Sequence, residues 1–221
     1  QRRTMFFGSQ RAMKSVAAAE IAALGAWRTL ASGDRVGGIV FNDQGIVDIP
    51  PHRSQTRVLL FLHEVVRQNQ LLAEPPTDDS ALSIINNLNQ SLEAARRRAK
   101  HDHLVVLISD LDGADEETQR LATQLATHND MLVVATYDPL GAVLHGRPGM
   151  RARDRGVDYE IPIDRTFSDS FQQAFAARLG QWMQIFRALR VPVLPISAAS
   201  SPILQLRDLF GAHLDRRPIG R

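Results

Sequence analysis

Two carboxylates, Asp110 and Asp112, stand immediately after a run of apolar residues that extends from Leu104 to Ile108. The run does not alternate with polar residues, which predicts a strand buried on both faces, as in a parallel sheet. Asp110 then lies just past the carboxyl end of that strand, and open α/β sheets bind their ligands at this edge. Carboxylates placed there can bind a metal ion, react with a substrate or contact a partner. Asp110 is therefore the centre of the candidate site.

The composition excludes several classes of protein. The chain has 221 residues, of which 44% are hydrophobic and 23% are charged, as is typical of a soluble globular protein. No apolar run approaches the roughly 20 residues that span a bilayer, so no membrane segment is expected. A net charge of +2 is too small to argue for a nucleic-acid partner, and the lack of cysteine excludes disulfides and thiolate metal sites.

Helix and strand patterns alternate along the chain. Strands are predicted to begin near Arg35, Gly45, Leu104, Met131 and Val191, with an edge strand over 157–163. Helices are predicted over 12–27, 55–72, 80–100, 115–128 and, capped by Ser168, 168–189, with a last helix opened by Pro202. Residues 140–155 are expected to form a binding loop. This alternation predicts one three-layer α/β domain over residues 1–221: a mostly parallel sheet, the Gly45 strand antiparallel at an edge, and helices on both faces.

Three segments together resemble a known family. Gly33-Asp-Arg-Val-Gly-Gly-Ile-Val-Phe41 after a long helix, and Val-Val-Leu-Ile-Ser-Asp110 further on, resemble the von Willebrand factor A-like fold, and most closely the bacterial domain of unknown function 58 family. Met5-Phe-Phe-Gly-Ser followed by Lys14-Ser15 also resembles that family. The resemblance covers roughly Arg2 to Ile196 and implies a Rossmann-like sheet. It further implies that the central strand, between the Arg35 and Leu104 strands, lies upstream of Gln1 and ends in an aspartate, so we expect the chain to be a fragment.

The resemblance also implies a metal-ion-dependent adhesion site. Such a site combines an Asp-x-Ser-x-Ser loop with a threonine and an aspartate from two further loops, and its Mg²⁺ keeps one position for a carboxylate of the partner. The matching positions are Thr4, then Thr77 or Ser80, and Asp110. Arg2 stands at the first serine position, where its charge repels a metal ion or replaces it. We favour the metal-free alternative, in which Arg2 pairs with Asp110 and receives an acidic residue of the partner.

The function implied by the resemblance is protein interaction without catalysis. Partners are expected to dock on an edge formed by Arg2, Thr4, Asp110, Asp112 and Tyr137. The resemblance implies a cytoplasmic protein that is encoded beside a MoxR-type AAA+ ATPase and that acts with it in assembling or activating other protein complexes.

An enzymatic alternative depends on the same strand. Asp110-Leu-Asp-Gly-Ala114 resembles the first motif of haloacid dehalogenase-like phosphatases, which implies that Asp110 is the nucleophile and Asp112 the general acid–base. Ala114 stands where that motif has threonine. No lysine follows Lys100 to contact a phosphoryl group, and no later acidic pair ends a strand to hold Mg²⁺. These departures make the interaction domain the preferred interpretation.

Overall fold

Helices and strands follow one another along the whole chain, and a computed structural model describes residues 1–73, 87–142, 151–154, 157–160, 162 and 164–214. The helices are α1 (Lys14–Ala31), α2 (Gln55–Leu71), α3 (Asn87–Arg98), α4 (Glu116–His128), α5 (Pro139–Ala142), α6 (Arg165–Ala188) and α7 (Pro202–Leu214). The strands are β1 (Val36–Phe41), β2 (Ile46–His52), β3 (Leu104–Ser109), β4 (Asp130–Tyr137), β5 (Arg151–Asp154), β6 (Val157–Glu160) and β7 (Val193–Ser197). No helix in these ranges is both long enough and apolar enough to cross a bilayer.

Strands β3, β4 and β7 form a parallel sheet in that order. In its register, Val105 lies opposite Met131 and Val133 lies opposite Val193. Val133 and Val134 are neighbours in β4, so their side chains point to opposite faces of the sheet. Both are buried, with exposures of 0% and 1%. Both faces of the sheet are therefore covered at β4, as the unbroken apolar run of that strand predicts, whereas β3 is only partly covered.

Two hydrophobic clusters place the helices in two layers, one on each face of this sheet. On one face, β3 and β4 contact side chains of α3, α4 and α6, namely Leu88, Leu92, Leu121, Leu125, Trp182 and Phe186. On the other face, Val134 and Ile196 pack with Ile21 of α1, and α7 lies beside α1. The prediction of an α/β fold with a parallel sheet between two helical layers is confirmed.

Strands β1 and β2 form an antiparallel hairpin in which Phe41 lies opposite Ile46. Asn42 closes its turn, because its side-chain oxygen accepts hydrogen bonds from the backbone of Gln44 (2.8 Å) and Gly45 (3.0 Å). A Cβ at Gly38 would lie 2.3 Å from the ring of Phe61, so glycine is what allows α2 to pack this closely on β1. The predicted hairpin is confirmed.

The hairpin and the parallel sheet are separate in the described part of the chain. Hydrogen bonds there join β1 to β2 and join β3 to β4, but none of the described pairings joins β1 to β3. The expected single sheet containing all five strands needs a further strand between β1 and β3, so it stays a prediction. Leu104 and Val106 of β3 remain 65% and 43% exposed. A strand supplied from upstream, between β1 and β3, stays a prediction.

The segment after β4 also differs from expectation. Residues 140–155 were expected to be one loop, but they contain part of α5 and all of β5, which pairs antiparallel with β6. Helix α6 begins earlier than predicted because its cap is Asp164 and not Ser168. The Asp164 carboxylate accepts a hydrogen bond from the backbone N–H of Phe167 at 2.6 Å, and this satisfies a donor of the first helical turn.

Candidate functional site

Asp110 follows β3 directly and lies at the carboxyl edge of the parallel sheet. Its Oδ1 accepts a hydrogen bond from the backbone N–H of Asp112 at 3.2 Å, while Ser109 Oγ accepts one from Leu111 at 3.1 Å. These bonds hold a tight turn in which Leu111 and Gly113 have φ values of 57° and 70°. The Asp110 side chain is only 6% exposed. A carboxylate that is so little hydrated needs a compensating positive charge.

Lys14, the first residue of α1, supplies that charge. Its Nζ lies 2.8 Å from Asp110 Oδ2, and its own side chain is 15% exposed. The backbone N–H of Lys14 donates to the carbonyl of Phe7 at 2.8 Å, which fixes where the helix begins. A cation in the first turn of a helix is opposed by the helix dipole, so Asp110 also stabilises the start of α1. The expectation that Arg2 pairs with Asp110 is wrong, because Lys14 occupies that position.

Arg2 instead joins the loops that follow β1 and β3. Its Nε lies 3.2 Å from Asp43 Oδ1, and its Nη1 donates to the backbone carbonyl of Asp112 at 2.5 Å. The backbone N–H of Arg3 donates to the other oxygen of Asp43 at 2.7 Å. A guanidinium presents several donors in a fixed fork, so a single side chain can hold both loops. The carboxyl ends of β1 and β3 therefore meet at the same edge of the molecule.

Thr4 lies in a short 3-10 helix, Arg3–Met5, which covers the end of β4 through a contact between Thr136 Oγ1 and Met5 Sδ (3.5 Å). The Thr4 hydroxyl is buried and has no hydrogen-bond partner among the described residues. The same is true of the Ser15 hydroxyl, which follows Lys14 in α1. An unsatisfied buried oxygen costs free energy, so these hydroxyls are available to a bound group or to water.

Tyr137, the last residue of β4, packs its ring against Phe175 of α6 at a centroid distance of 6.3 Å. The next residue, Asp138, is 3% exposed and has three hydrogen bonds. It accepts from the backbone N–H of Ser9 (2.9 Å), the hydroxyl of Ser9 (2.5 Å) and the backbone N–H of Leu140 (2.9 Å). Asp138 therefore ties the segment before α1 to the end of β4.

A family model matches most of the chain, including the residues of this edge. The model described as protein of unknown function DUF58 matches residues 2–180. The chain belongs to the DUF58 family. The match includes Arg2, Lys14 and Asp110, whereas β7 and α7 follow the matched range. No curated protein and no solved structure matches the chain.

The Mg²⁺ site implied by the resemblance does not fit the donors described in this DUF58 protein. The ammonium group of Lys14 already contacts Asp110 Oδ2, and it occupies the position that a metal ion bound to this oxygen would take. Within the described ranges, no group of three or more His, Asp or Glu side chains is arranged to hold a metal ion. Thr77 and Ser80 lie outside the described residues. At this edge the carboxylates of Asp43 and Asp110 are thus compensated by Arg2 and Lys14.

Two aromatic side chains are exposed at the same edge of the DUF58 domain. Phe6 and Phe7 follow the 3-10 helix and are 38% and 44% exposed. Their segment lies over the site, because the Phe7 carbonyl accepts the hydrogen bond from Lys14 that begins α1. Exposed aromatic side chains beside partly buried charges are a common feature of protein interfaces.

Sequence reasoning missed three side chains that shape this edge: Lys14, Asp43 and Asp138. Lys14 is part of a segment that resembles the family, but its type and spacing predict no role for it. Asp43 and Asp138 carried a usable signal, since each follows the end of a strand and such positions collect at one sheet edge. Arg2, Thr4, Asp110, Asp112 and Tyr137 all lie at this edge in the structure, although Arg2 and Asp110 contact other partners than expected.

Proposed function

We propose that this chain is a von Willebrand factor A-type protein-interaction domain, without catalytic activity, whose partner docks at the edge formed by Arg2, Thr4, Asp110, Asp112 and Tyr137. The proposed partner is a MoxR-type AAA+ ATPase in the cytoplasm, with which the domain assembles or activates other protein complexes. The observation that carries this proposal is the ion pair between Lys14 and Asp110, which satisfies the central carboxylate from within the chain.

The ion pair supports docking more than catalysis because it leaves Asp110 little freedom to react. One carboxylate oxygen contacts Lys14 and the other accepts the backbone N–H of Asp112. A nucleophile or a general base needs an oxygen that can reach the substrate. A docking surface needs instead a fixed arrangement of charges, which these two contacts provide.

Docking in this proposal does not need a metal ion. An ammonium group has three donors, and Asp110 accepts from one of them. A carboxylate of the partner can accept from another, so that Lys14 takes over the role that Mg²⁺ plays in the adhesion site of the resembled fold. Phe6 and Phe7, exposed beside it, supply the apolar part of the contact.

The test is a binding measurement between this chain and the ATPase encoded beside it, by isothermal titration calorimetry. We expect Asp110→Ala to weaken binding by about tenfold or more, which is about 1.4 kcal/mol. Asp208→Ala is the matched control, because Asp208 is an exposed aspartate on α7 that lies beside Arg207 and not beside Lys14, and it should leave binding unchanged. If Asp110→Ala binds the ATPase as tightly as the wild-type protein does, the partner does not dock at this edge.

A second titration distinguishes the two versions of the site. Binding in the presence of a chelator should equal binding in Mg²⁺ if Lys14 supplies the positive charge. Lys14→Met should weaken binding in both conditions, whereas the conservative Lys14→Arg should restore part of it. Binding that is lost on chelation while Lys14→Met has no effect would replace the metal-free version with the metal-dependent one.

The alternative function, a haloacid dehalogenase-like phosphatase using Asp110 and Asp112, is favoured by one observation. Such a phosphatase needs a cation that contacts the phosphoryl group, and no lysine follows Lys100 in the sequence. Lys14 brings an ammonium group next to Asp110 and could supply that contact. The two functions differ in turnover. If the wild-type protein hydrolyses p-nitrophenyl phosphate with Mg²⁺ and Asp110→Asn does not, the chain is an enzyme. We expect instead that the wild-type protein shows no turnover above the rate of Asp110→Asn.

A further inference from the structure

A groove lies between α1 and the start of α7. It has a volume of about 560 Å³, and α1 contributes side chains that recur on one face of the helix: Glu20, Ala23, Leu24, Trp27 and Arg28. Ser201, directly before α7, and Ile203 in its first turn form the opposite wall, and Arg11 completes the lining. A helix rises about 1.5 Å per residue, so the face of α1 from 20 to 28 gives the groove a length of about 12 Å.

The groove exposes large apolar side chains to water. Trp27 is 36% exposed and Ile203 is 57% exposed, and Leu204, which follows Ile203 on α7, is 48% exposed. Removal of apolar surface from water is the main favourable contribution to most protein association, and tryptophan is enriched among the side chains that contribute most to binding. The exposed side chains therefore favour a protein ligand for this groove.

The charge that the groove presents to a ligand is positive. Among the described residues of the lining, the acidic one is Glu20, and its Oε1 pairs with Arg11 Nη2 at 2.6 Å. The other carboxylate oxygen of Glu20 is buried. Arg28 is exposed, and no acidic residue of the lining is left to pair with it. A ligand with a carboxylate complements this arrangement, because a guanidinium binds a carboxylate through two parallel hydrogen bonds.

The groove is separate from the edge at Asp110. Helix α1 begins at that edge with Lys14, and Trp27 lies about 20 Å further along the same helix. The second wall of the groove belongs to α7, which makes no contribution to the Asp110 site described above. An inference about the groove is therefore independent of the function proposed for Asp110.

We propose that the groove binds an amphipathic helix of a partner protein. Apolar side chains of that helix pack against Trp27 and Ile203, and an acidic residue of the helix pairs with Arg28. Helices that bind in grooves do so through apolar residues spaced three, four and seven positions apart. Two turns of such a helix are about 11 Å long, which agrees with the length of the lining face of α1.

A second copy of this chain fits the groove less well. A symmetric dimer places the same surface of both copies in contact, so the surface must complement itself. Arg28 of one copy would then need an acidic residue from the same groove of the other copy. Glu20 is already paired with Arg11, so two such grooves would bring positive charges together.

The first experiment selects ligands from a phage-displayed library of random peptides about 16 residues long, which is enough for four helical turns. The immobilised whole chain is the target. We expect the enriched peptides to carry apolar residues at helical spacing and an aspartate or a glutamate within one turn of them. Enrichment of basic peptides, or no enrichment above an uncoated surface, would overturn the proposal.

The second experiment measures the affinity of the most enriched peptide, labelled with fluorescein, by fluorescence anisotropy. Trp27→Ala and Ile203→Ser alter two different helices, and each should weaken binding by about tenfold or more. Arg28→Gln should weaken it by about fivefold, because one charged contact is lost. Equal affinity of these three variants and the wild-type chain would place the peptide elsewhere and overturn the proposal.

The matched controls are Leu59→Ala and Arg57→Gln on α2. Both residues are exposed, and neither lines the groove. They remove an apolar side chain and a positive charge from another surface, so we expect less than about a twofold change in affinity. Losses as large as those of Trp27→Ala and Arg28→Gln would mean that the peptide responds to general surface properties, against the proposal.

The fluorescence of Trp27 reports directly whether the groove is occupied. The peptide should shift the tryptophan emission of the wild-type chain to shorter wavelengths, because the exposed indole ring leaves water. Trp27→Phe should abolish the shift, since the other tryptophan, Trp182, is buried. Sedimentation velocity without peptide tests the second copy. A dimer that forms with increasing concentration and is lost in Ile203→Ser would assign the groove to self-association and overturn the helical partner.

Discussion

Lys14 Nζ and Asp110 Oδ2 lie 2.8 Å apart although the two residues are separated by 96 positions in the chain. Both side chains are largely removed from water, with exposures of 15% and 6%. The pair joins the beginning of α1 to the end of β3, and it fixes the edge at which we place the partner-binding surface. Most of the predictions below concern this edge and the contacts that support it.

Removal of the lysine charge should destabilise the fold. We expect Lys14→Met to lower the free energy of unfolding by about 3 kcal/mol, because it leaves the Asp110 carboxylate buried and unpaired. Arg11→Met is the control, since its pair with Glu20 has both side chains 36% exposed and should contribute much less to stability than the Lys14–Asp110 pair. Urea denaturation of the two variants measures the difference, and equal losses would contradict the prediction.

The coupling between the two residues can be measured separately from the loss of either. The double variant Lys14→Met/Asp110→Asn should lose less stability than the sum of the two single variants, with a coupling of at least about 1 kcal/mol. The reason is that an asparagine without a lysine neighbour carries no uncompensated charge. Strict additivity in the same urea experiments would show that the pair does not interact in solution.

Arg2 should act as a clamp between the loops after β1 and β3. Arg2→Lys keeps the charge but cannot contact both Asp43 and the Asp112 carbonyl, so we expect a loss of about 1 kcal/mol in unfolding free energy. Arg120→Lys, in an exposed pair on α4, should cost clearly less stability than Arg2→Lys. If thermal and urea denaturation give the same small change for both variants, the clamp contributes nothing to stability.

Gly38 should be required for the packing of α2 on β1. In Gly38→Ala the new Cβ would meet the ring of Phe61 at 2.3 Å, so we expect a loss of about 1 to 3 kcal/mol. Gly25→Ala on α1 is the opposite case, because no atom lies within 4 Å of the new Cβ and alanine favours the helix by up to about 1 kcal/mol. Thermal denaturation should move the two melting temperatures in opposite directions.

The local structure that positions Asp110 can be predicted from the sequence alone. The unbroken apolar run of β3 predicts a strand, and chain direction then places the next residue at the carboxyl edge, although Leu104 and Val106 on one face of that strand remain exposed. The hairpin of β1 and β2 was equally predictable from its short polar turn around Asn42. These features depend on neighbours within a few residues, which is why the periodicity and the turn residues were sufficient to predict them.

Which cation contacts Asp110 depends on long-range packing. Arg2 and Lys14 both precede β1 and have side chains of similar reach, so the sequence did not distinguish between them. The hydrogen bond from Lys14 to Phe7 sets the first turn of α1, and the packing of Ile21 against Val134 and Ile196 sets the path of that helix across the sheet. That path brings Lys14 to Asp110 and leaves Arg2 between the loops after β1 and β3. A charge pair between such distant positions is fixed by the packing of α1 on the sheet, and no local pattern encodes it.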